Sequence, residues 1–181
     1  MILIIGISGS GKTELSKALQ KETRRPAYSS DNYTGTTIAK KSEAFYNALR
    51  DAPENSIVEM VPGTFLKWYP FFLTKGIESV IFVECTHATA RRRIFARMDS
   101  GKGTGIPESA TEFQLKTLEK CYSFLNFIEF TGNTPPPVLH IYNNSDYEKA
   151  KDKTNFFRLL AKQIATGGNL DTIQGDKESF E

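Results

Sequence analysis

Short apolar runs alternate with amphipathic stretches along the whole chain. Residues 2–5 (ILII) form a continuous β-branched run, the pattern of a strand buried on both faces of a parallel sheet. Residues 13–22 follow with apolar positions at helical spacing. A short second strand is predicted over 26–29, then a helix over 37–51 with Ile38, Phe45 and Leu49 as its apolar positions. Residues 56–61 predict a third strand, ended by Pro62 and Gly63. An aromatic-rich helix is expected over 64–74, a fourth strand over 79–85 and a strongly basic helix over 88–98. Residues 100–107 (SGKGTGIP) carry three glycines and a proline and predict a mobile loop that includes Lys102. A long helix over 110–130, a proline-rich turn at 131–137, a fifth strand over 138–142 and a last helix over 146–165 complete the series. The polar residues 167–181 are expected to be a flexible tail.

Strands that alternate with helices imply a parallel sheet, right-handed crossovers and helices on both faces. The expected fold is therefore α/β: a three-layer α/β/α arrangement around five parallel strands. With 181 residues the chain is long enough for one domain with a substantial core, placed at 1–166. Its 39% hydrophobic and 24% charged residues are those of an ordinary soluble chain, and a net charge of +2 points to no class of partner. No apolar run approaches the length of a membrane span. The opening MILIIG has no charged leader and reads as a strand, so a cytoplasmic protein is expected. Cys85 and Cys121, in apolar surroundings, read as buried free thiols. His87 and His140 stand alone and suggest no role.

One segment carries specific chemistry. Gly6-Ile7-Ser8-Gly9-Ser10-Gly11-Lys12-Thr13 matches G-x-x-x-x-G-K-[ST] in full, between an apolar strand and a helix as the motif requires. Gly6, Gly9 and Gly11 let the backbone curl so that successive N–H groups, with those of Ser8 and Ser10, point into one concavity. The helix start adds partial positive charge. Lys12 is then placed to reach the β- and γ-phosphates of a nucleoside triphosphate, and the Thr13 hydroxyl to ligate Mg²⁺.

Among proteins with such a loop, a GTPase switch would need N-K-x-D after a late strand. The nearest segment, Asn143-Asn144-Ser145-Asp146, lacks the lysine, and no D-x-x-G follows the third strand. Motor and helicase ATPases carry further sensor segments for which this chain is too short. A small kinase needs an acid on the acceptor side, arginines on a lid and a mobile cover, and each has a candidate.

The layout resembles the nucleoside/nucleotide-kinase-like branch of P-loop proteins. Ser29-Ser30-Asp31-Asn32-Tyr33, after the second strand, resembles the acidic segment of polynucleotide kinase and zeta-toxin-like families, a group that includes phage kinases of hydroxymethylpyrimidines in DNA. The resemblance implies that Asp31 takes the proton from an acceptor hydroxyl. It also implies ATP and Mg²⁺ as cofactors and a hydroxyl acceptor on a nucleotide or nucleic acid. A small-metabolite or sugar-nucleotide kinase, or a regulatory nucleotide-binding module, are the alternatives. The basic residue that those families carry shortly after the Asp is absent here, where Thr34-Gly35-Thr36 follow Tyr33.

Other residues carry two readings each. Asp31 is an acceptor-side base or a turn former. Glu59, an acid inside the apolar stretch 56–61, is a water-mediated Mg²⁺ contact or a structural hydrogen-bonding group. Arg93 and Arg97 share a helix face and fit the R-x-x-x-R that opens the lid of many small kinases, placed here at about 89–109; the other reading is a solvated basic face, assigned to Arg91 and Arg92. Asn143 and Asn144 either lie against the adenine, with Asn144 as the contact, or form a plain Asn turn. Phe65, Trp68, Tyr69, Phe71 and Phe72 read as core, with one or two free to stack on a base.

Overall fold

The computed structural model describes residues 1–33, 37–101, 108–130, 134–144 and 150–167. Five parallel strands form one sheet in the order β2-β3-β1-β4-β5. They are β1 (Ile2–Ile5), β2 (Ala27–Ser29), β3 (Ile57–Met60), β4 (Ser79–Glu84) and β5 (Val138–Tyr142). The helices are α1 (Lys12–Thr23), α2 (Ile38–Arg50), α3 (Pro62–Thr74), α4 (His87–Asp99), α5 (Glu108–Phe130) and α6 (Ala150–Thr166), with a 3₁₀ turn at Ser30–Asn32. The α/β architecture expected from the alternating pattern is the one observed.

The continuous apolar runs are explained by the two faces of the sheet. Strand side chains alternate between faces. Leu3, Ile5, Val58, Met60, Val80 and Phe82 face α2, α3 and α5, where Phe45, Leu49, Phe65, Tyr69, Phe72, Leu118, Cys121 and Leu125 complete one core. Ile2, Ile4, Ile57, Ile81 and Val83 face the other way, against Leu15 and Leu19 of α1 and Phe157, Leu160 and Ala161 of α6. Each fully buried aliphatic or aromatic side chain contributes roughly 1.5–3 kcal/mol, so neither face can be exposed cheaply. Both β1 and β3 are buried at every residue, whereas β5, at the sheet edge, is only partly covered. There His140 Nδ1 lies 2.6 Å from Glu84 Oε1 of the neighbouring strand.

Some boundaries differ from expectation. Helix α3 begins at Pro62 itself, because proline lacks the N–H that the first helical turn leaves unused anyway. Thr37 is the N-cap of α2 and accepts a hydrogen bond from Lys40 N. Helix α5 starts at Glu108, two residues ahead of the expected start. The expected loop over 100–107 falls mostly outside the described residues, as do 146–149 at the start of the last expected helix and the tail from 168 onward. Among the described residues no helix is long and apolar enough to cross a membrane.

Both cysteines are free and buried. Burial pushes the Cys85 thiol up to about 11, although Arg93 and Lys12 pull against it. Burial likewise pushes Cys121 up to about 12. Both thiols are therefore protonated near neutral pH, and the nucleophilic thiolate is scarce. A thiol-reactive chromophore at pH 8 is expected to label neither cysteine in the folded protein and both after denaturation. Rapid labelling of the native protein would contradict this packing.

Candidate active site

At the end of β1 the chain leaves the sheet, with Gly6 N donating to Met60 O. It then turns tightly, Ser10 N donating to Ile7 O at 3.2 Å, and enters α1 at Gly11. Two glycines are dictated by this path. Gly9 (φ 87°) and Gly11 (φ 102°) both sit in the left-handed region that side chains disfavour. Neither has room for a side chain: a Cβ on Gly9 would lie 2.8 Å from Ala90 O, and one on Gly11 2.5 Å from Asn143 Nδ2. No side chain caps the start of α1. Its first amides are left for an anion, with the helix dipole behind them.

The loop is gripped from outside. Asn143, 1% exposed and just past β5, donates from Nδ2 to Ser10 O at 2.6 Å. Arg93 on α4 donates from Nη1 to Gly9 O at 3.1 Å and from Nη2 to Asn143 Oδ1 at 3.3 Å. Gln114 on α5 accepts the Ser8 N–H at 2.7 Å, so the Ser8 and Ser10 amides, expected to face the phosphates, are here engaged by Gln114 and by Ile7 O. Asn144 Oδ1 accepts from Thr86 N at 2.8 Å, fastening the end of β5 to the start of α4.

On the floor of the loop Glu59 is 1% exposed. Its Oε1 accepts from Thr13 Oγ1 at 3.0 Å and from Ser29 Oγ at 2.5 Å. Its Oε2 is buried with no hydrogen-bond partner among the described residues. Ser29 Oγ in turn accepts from Asp31 N at 3.3 Å, shaping the 3₁₀ turn that carries the exposed Asp31. A single chain of hydrogen bonds thus runs from Thr13 through Glu59 and Ser29 to Asp31.

Lys12 lies among these groups, 5% exposed. Burial holds its pKa below the ordinary lysine value; the carboxylates of Asp31 and Glu59 push it back up, Arg97 lowers it, and Cys85 raises it. Residues from α1, the 3₁₀ turn, β3 and α4 therefore meet in one electrostatic field. The buried carboxylate with one unpartnered oxygen, beside the Thr13 hydroxyl, is a hard-oxygen donor set of the kind Mg²⁺ takes alongside phosphate oxygens. Among the described residues no group of three or more His, Cys, Asp or Glu side chains could hold a metal by itself.

Of the residues that the sequence singles out, Lys12, Thr13 and Glu59 meet at the loop floor and Arg93 reaches the loop backbone, while Asp31 and Arg97 are exposed and act on Lys12 through their charges. Arg93 is fastened to the loop backbone, which the spacing alone did not reveal. Between the two asparagines, the buried one holding the loop is Asn143, while the side chain of Asn144 is engaged with Thr86. Ser29 and Gln114 were given no role. Gln114 carries a faint signal: it is a polar residue at the helical spacing of the buried Thr111, Leu118, Cys121 and Leu125. The aromatics Phe65, Tyr69 and Phe72 are core.

No family model and no curated protein matches this chain. Solved structures share its fold. A gluconokinase from Sinorhizobium meliloti 1021 is 18% identical with a TM-score of 0.54, over 93% of this chain and 97% of that one. A deoxyadenosine kinase from M. mycoides with bound dCTP is 17% identical with a TM-score of 0.60, over 92% and 100%. A shikimate kinase from Bacteroides thetaiotaomicron is 17% identical with a TM-score of 0.56, over 91% and 97%. The fold is that of P-loop kinases, and the likeness at these identities is one of fold.

A lysine whose folded pKa lies below its unfolded value is harder to protonate when folded. Its charge therefore weighs against folding, fully below the folded pKa and not at all above the unfolded one. At pH 7 Lys12→Met is expected to melt no lower than the parent when no nucleotide is present. The parent should gain thermal stability on adding a nucleoside triphosphate, and the variant should gain little. A variant that melts lower yet is stabilised as strongly by nucleotide would refute the anion-binding role of Lys12.

Proposed function

We propose that this protein is an ATP- and Mg²⁺-dependent phosphotransferase that moves the γ-phosphoryl group to a hydroxyl of a small acceptor. The observation that carries this reading is the buried Glu59 carboxylate beside Thr13 on the floor of a fully formed phosphate loop, with the turn that carries Asp31 on the same hydrogen-bond chain. A regulatory nucleotide-binding module has no need of an exposed acid on a turn whose backbone is tied to the loop floor.

The loop residues Gly6, Ser8, Gly9, Ser10, Gly11, Lys12 and Thr13 would hold the triphosphate, with Asn144 at the nucleotide side. Thr13 and Glu59 would hold Mg²⁺, which when bound supplies charge neutralisation at the β- and γ-phosphates. Lys12 offsets the charge that spreads over the transferring oxygens. Asp31 orients the acceptor hydroxyl and accepts its proton. The acceptor oxygen forms the new O–P bond, the bond from the γ-phosphorus to the bridging oxygen breaks, and ADP leaves. Arg97, exposed on α4, is the lid arginine, and Arg93 braces the loop. Nucleosides are the first acceptor class to test. Tyr33 lies two residues beyond Asp31 with its ring 5.2 Å from that of Phe45, a π-surface beside the base. Sugars and small metabolites form the second arm, and DNA 5′-ends and hydroxymethylpyrimidine DNA the third.

The deciding experiment incubates the protein with γ-labelled ATP and this acceptor panel. Labelled product in the nucleoside or sugar arm supports the proposal. Label on DNA alone would return the acceptor to nucleic acid, and ATP binding with no labelled product in any arm would sink the kinase reading.

Asp31→Asn keeps size and removes basicity. It is expected to leave ATP affinity nearly unchanged and to lower acceptor phosphorylation by about 10²–10⁴-fold, the usual range for a general base. Full activity would move the role to another acid.

For the arginines, Arg97→Ala should lower kcat with little change in nucleotide affinity, while Arg93→Ala should weaken nucleotide binding through the loosened loop. Arg91→Ala is the control, since Arg91 lies 5.5 Å over the Phe95 ring. Equal effects from all three would reduce this helix to a basic face.

A further inference from the structure

Gln114 is a half-buried polar side chain on α5, one turn from the buried Thr111 and Leu118. Its Oε1 accepts the Ser8 N–H at 2.7 Å, across 106 residues of sequence. That distance is short for an N–H···O bond. The donor is a backbone amide, so the accepting atom must be the side-chain oxygen. This fixes the rotation of the amide group and leaves Nε2, with two N–H donors, on its other side. Fixing a flexible glutamine for one neutral hydrogen bond brings little net stability, because the lost rotamer freedom offsets it.

The position of Gln114 on the sheet gives the amide a use. Helix α1, whose start receives the phosphates, lies on the face of Ile2, Ile4 and Val83. Helix α5 lies on the opposite face, where Tyr28 and Tyr33, flanking Asp31, also pack. The Ser8 limb of the loop, held by Gln114, is therefore braced from the sheet face on which the residues flanking Asp31 also pack.

We infer that Gln114 recognises the terminal phosphate: Oε1 anchors the side chain on Ser8 N–H, and Nε2 donates to the transferring phosphoryl group on the acceptor side. This inference rests on the kinase reading and identifies a further catalytic contact for it. It distinguishes triphosphate from diphosphate, since a diphosphate leaves Nε2 without a phosphate partner.

The test compares the affinities of the full chain for ADP and for a non-hydrolysable ATP analogue, measured by calorimetry with Mg²⁺. Two variants are used. Gln114→Leu removes both anchor and donor; Gln114→Glu keeps an oxygen for Ser8 N–H but replaces the donor with negative charge. Gln114→Glu, whose oxygen still takes the Ser8 N–H, is expected to bind ADP as the parent does and to lose about ten-fold or more of the preference for the triphosphate analogue, the scale of one hydrogen bond to a charged group; Gln114→Leu, which also frees the Ser8 limb, is expected to lose ADP affinity too, and analogue affinity by more. The loss of preference should be larger for Gln114→Glu, although its anchor is intact. Unchanged preference in both variants overturns the inference. An equal loss of ADP and analogue affinity also overturns it, because that is the result of a group that merely shapes the loop. No acceptor takes part in this measurement, so a failure of the kinase reading shows itself separately, as an acceptor panel without labelled product.

Discussion

A loop that binds phosphate through its own N–H groups can use few of them to hold its shape. This constraint organises the whole C-terminal edge of the sheet. The carbonyls of Gly9 and Ser10 are held from outside, by Arg93 on α4 and by Asn143 at the end of β5. The Ser8 amide is held by Gln114 on α5. Each brace comes from a different element, and each element reaches the loop because the strand order puts β4 beside β1 and β5 beside β4. The left-handed glycines complete the arrangement: Gly9 and Gly11 permit both the turn and the close approach of Ala90 and Asn143. A loop braced this way is preorganised, so little reorganisation is needed when an anion arrives.

The same edge concentrates charge that the fold alone would not favour. Lys12 and Glu59 are both nearly fully buried, and one Glu59 oxygen has no partner among the described residues. Buried charges and unmet acceptors weigh against stability. They persist because two apolar faces, built on Ile, Leu, Val and Phe side chains, supply far more than these groups remove. The proposed chemistry uses this tension: an anion would meet the Lys12 charge and a hard cation the unpartnered Glu59 oxygen.

The hydrogen-bond chain from Thr13 through Glu59 and Ser29 to the Asp31 amide gives the proposed reaction its geometry. It joins the helix that would hold the phosphates to the turn that would hold the acceptor base. Register makes this possible, since Ser29 and Glu59 are direct partners on neighbouring parallel strands and so point to the same face. A small displacement of β2 would therefore disturb both ends of an in-line transfer.

Much of this was legible in the amino-acid order alone. Residues 2–5 announced a doubly buried strand, and the alternation of strand and helix announced the layered sheet, because hydrophobic period follows burial directly. The phosphate loop was equally plain, since left-handed glycines, a reaching lysine and a hydroxyl at fixed offsets are demands of local backbone geometry. The sequence also nominated Asp31, Glu59, Arg93 and Arg97, but it left open what each one touches. Which asparagine grips Ser10, that Arg93 braces Gly9, that Ser29 bridges two carboxylate-bearing segments and that Gln114 seizes Ser8 were decided by tertiary structure only. These contacts join residues 30 to 133 positions apart, and no local pattern encodes a partner that distant. They exist because strand order, register and helix packing bring separate segments to one edge, and those are properties of the folded whole.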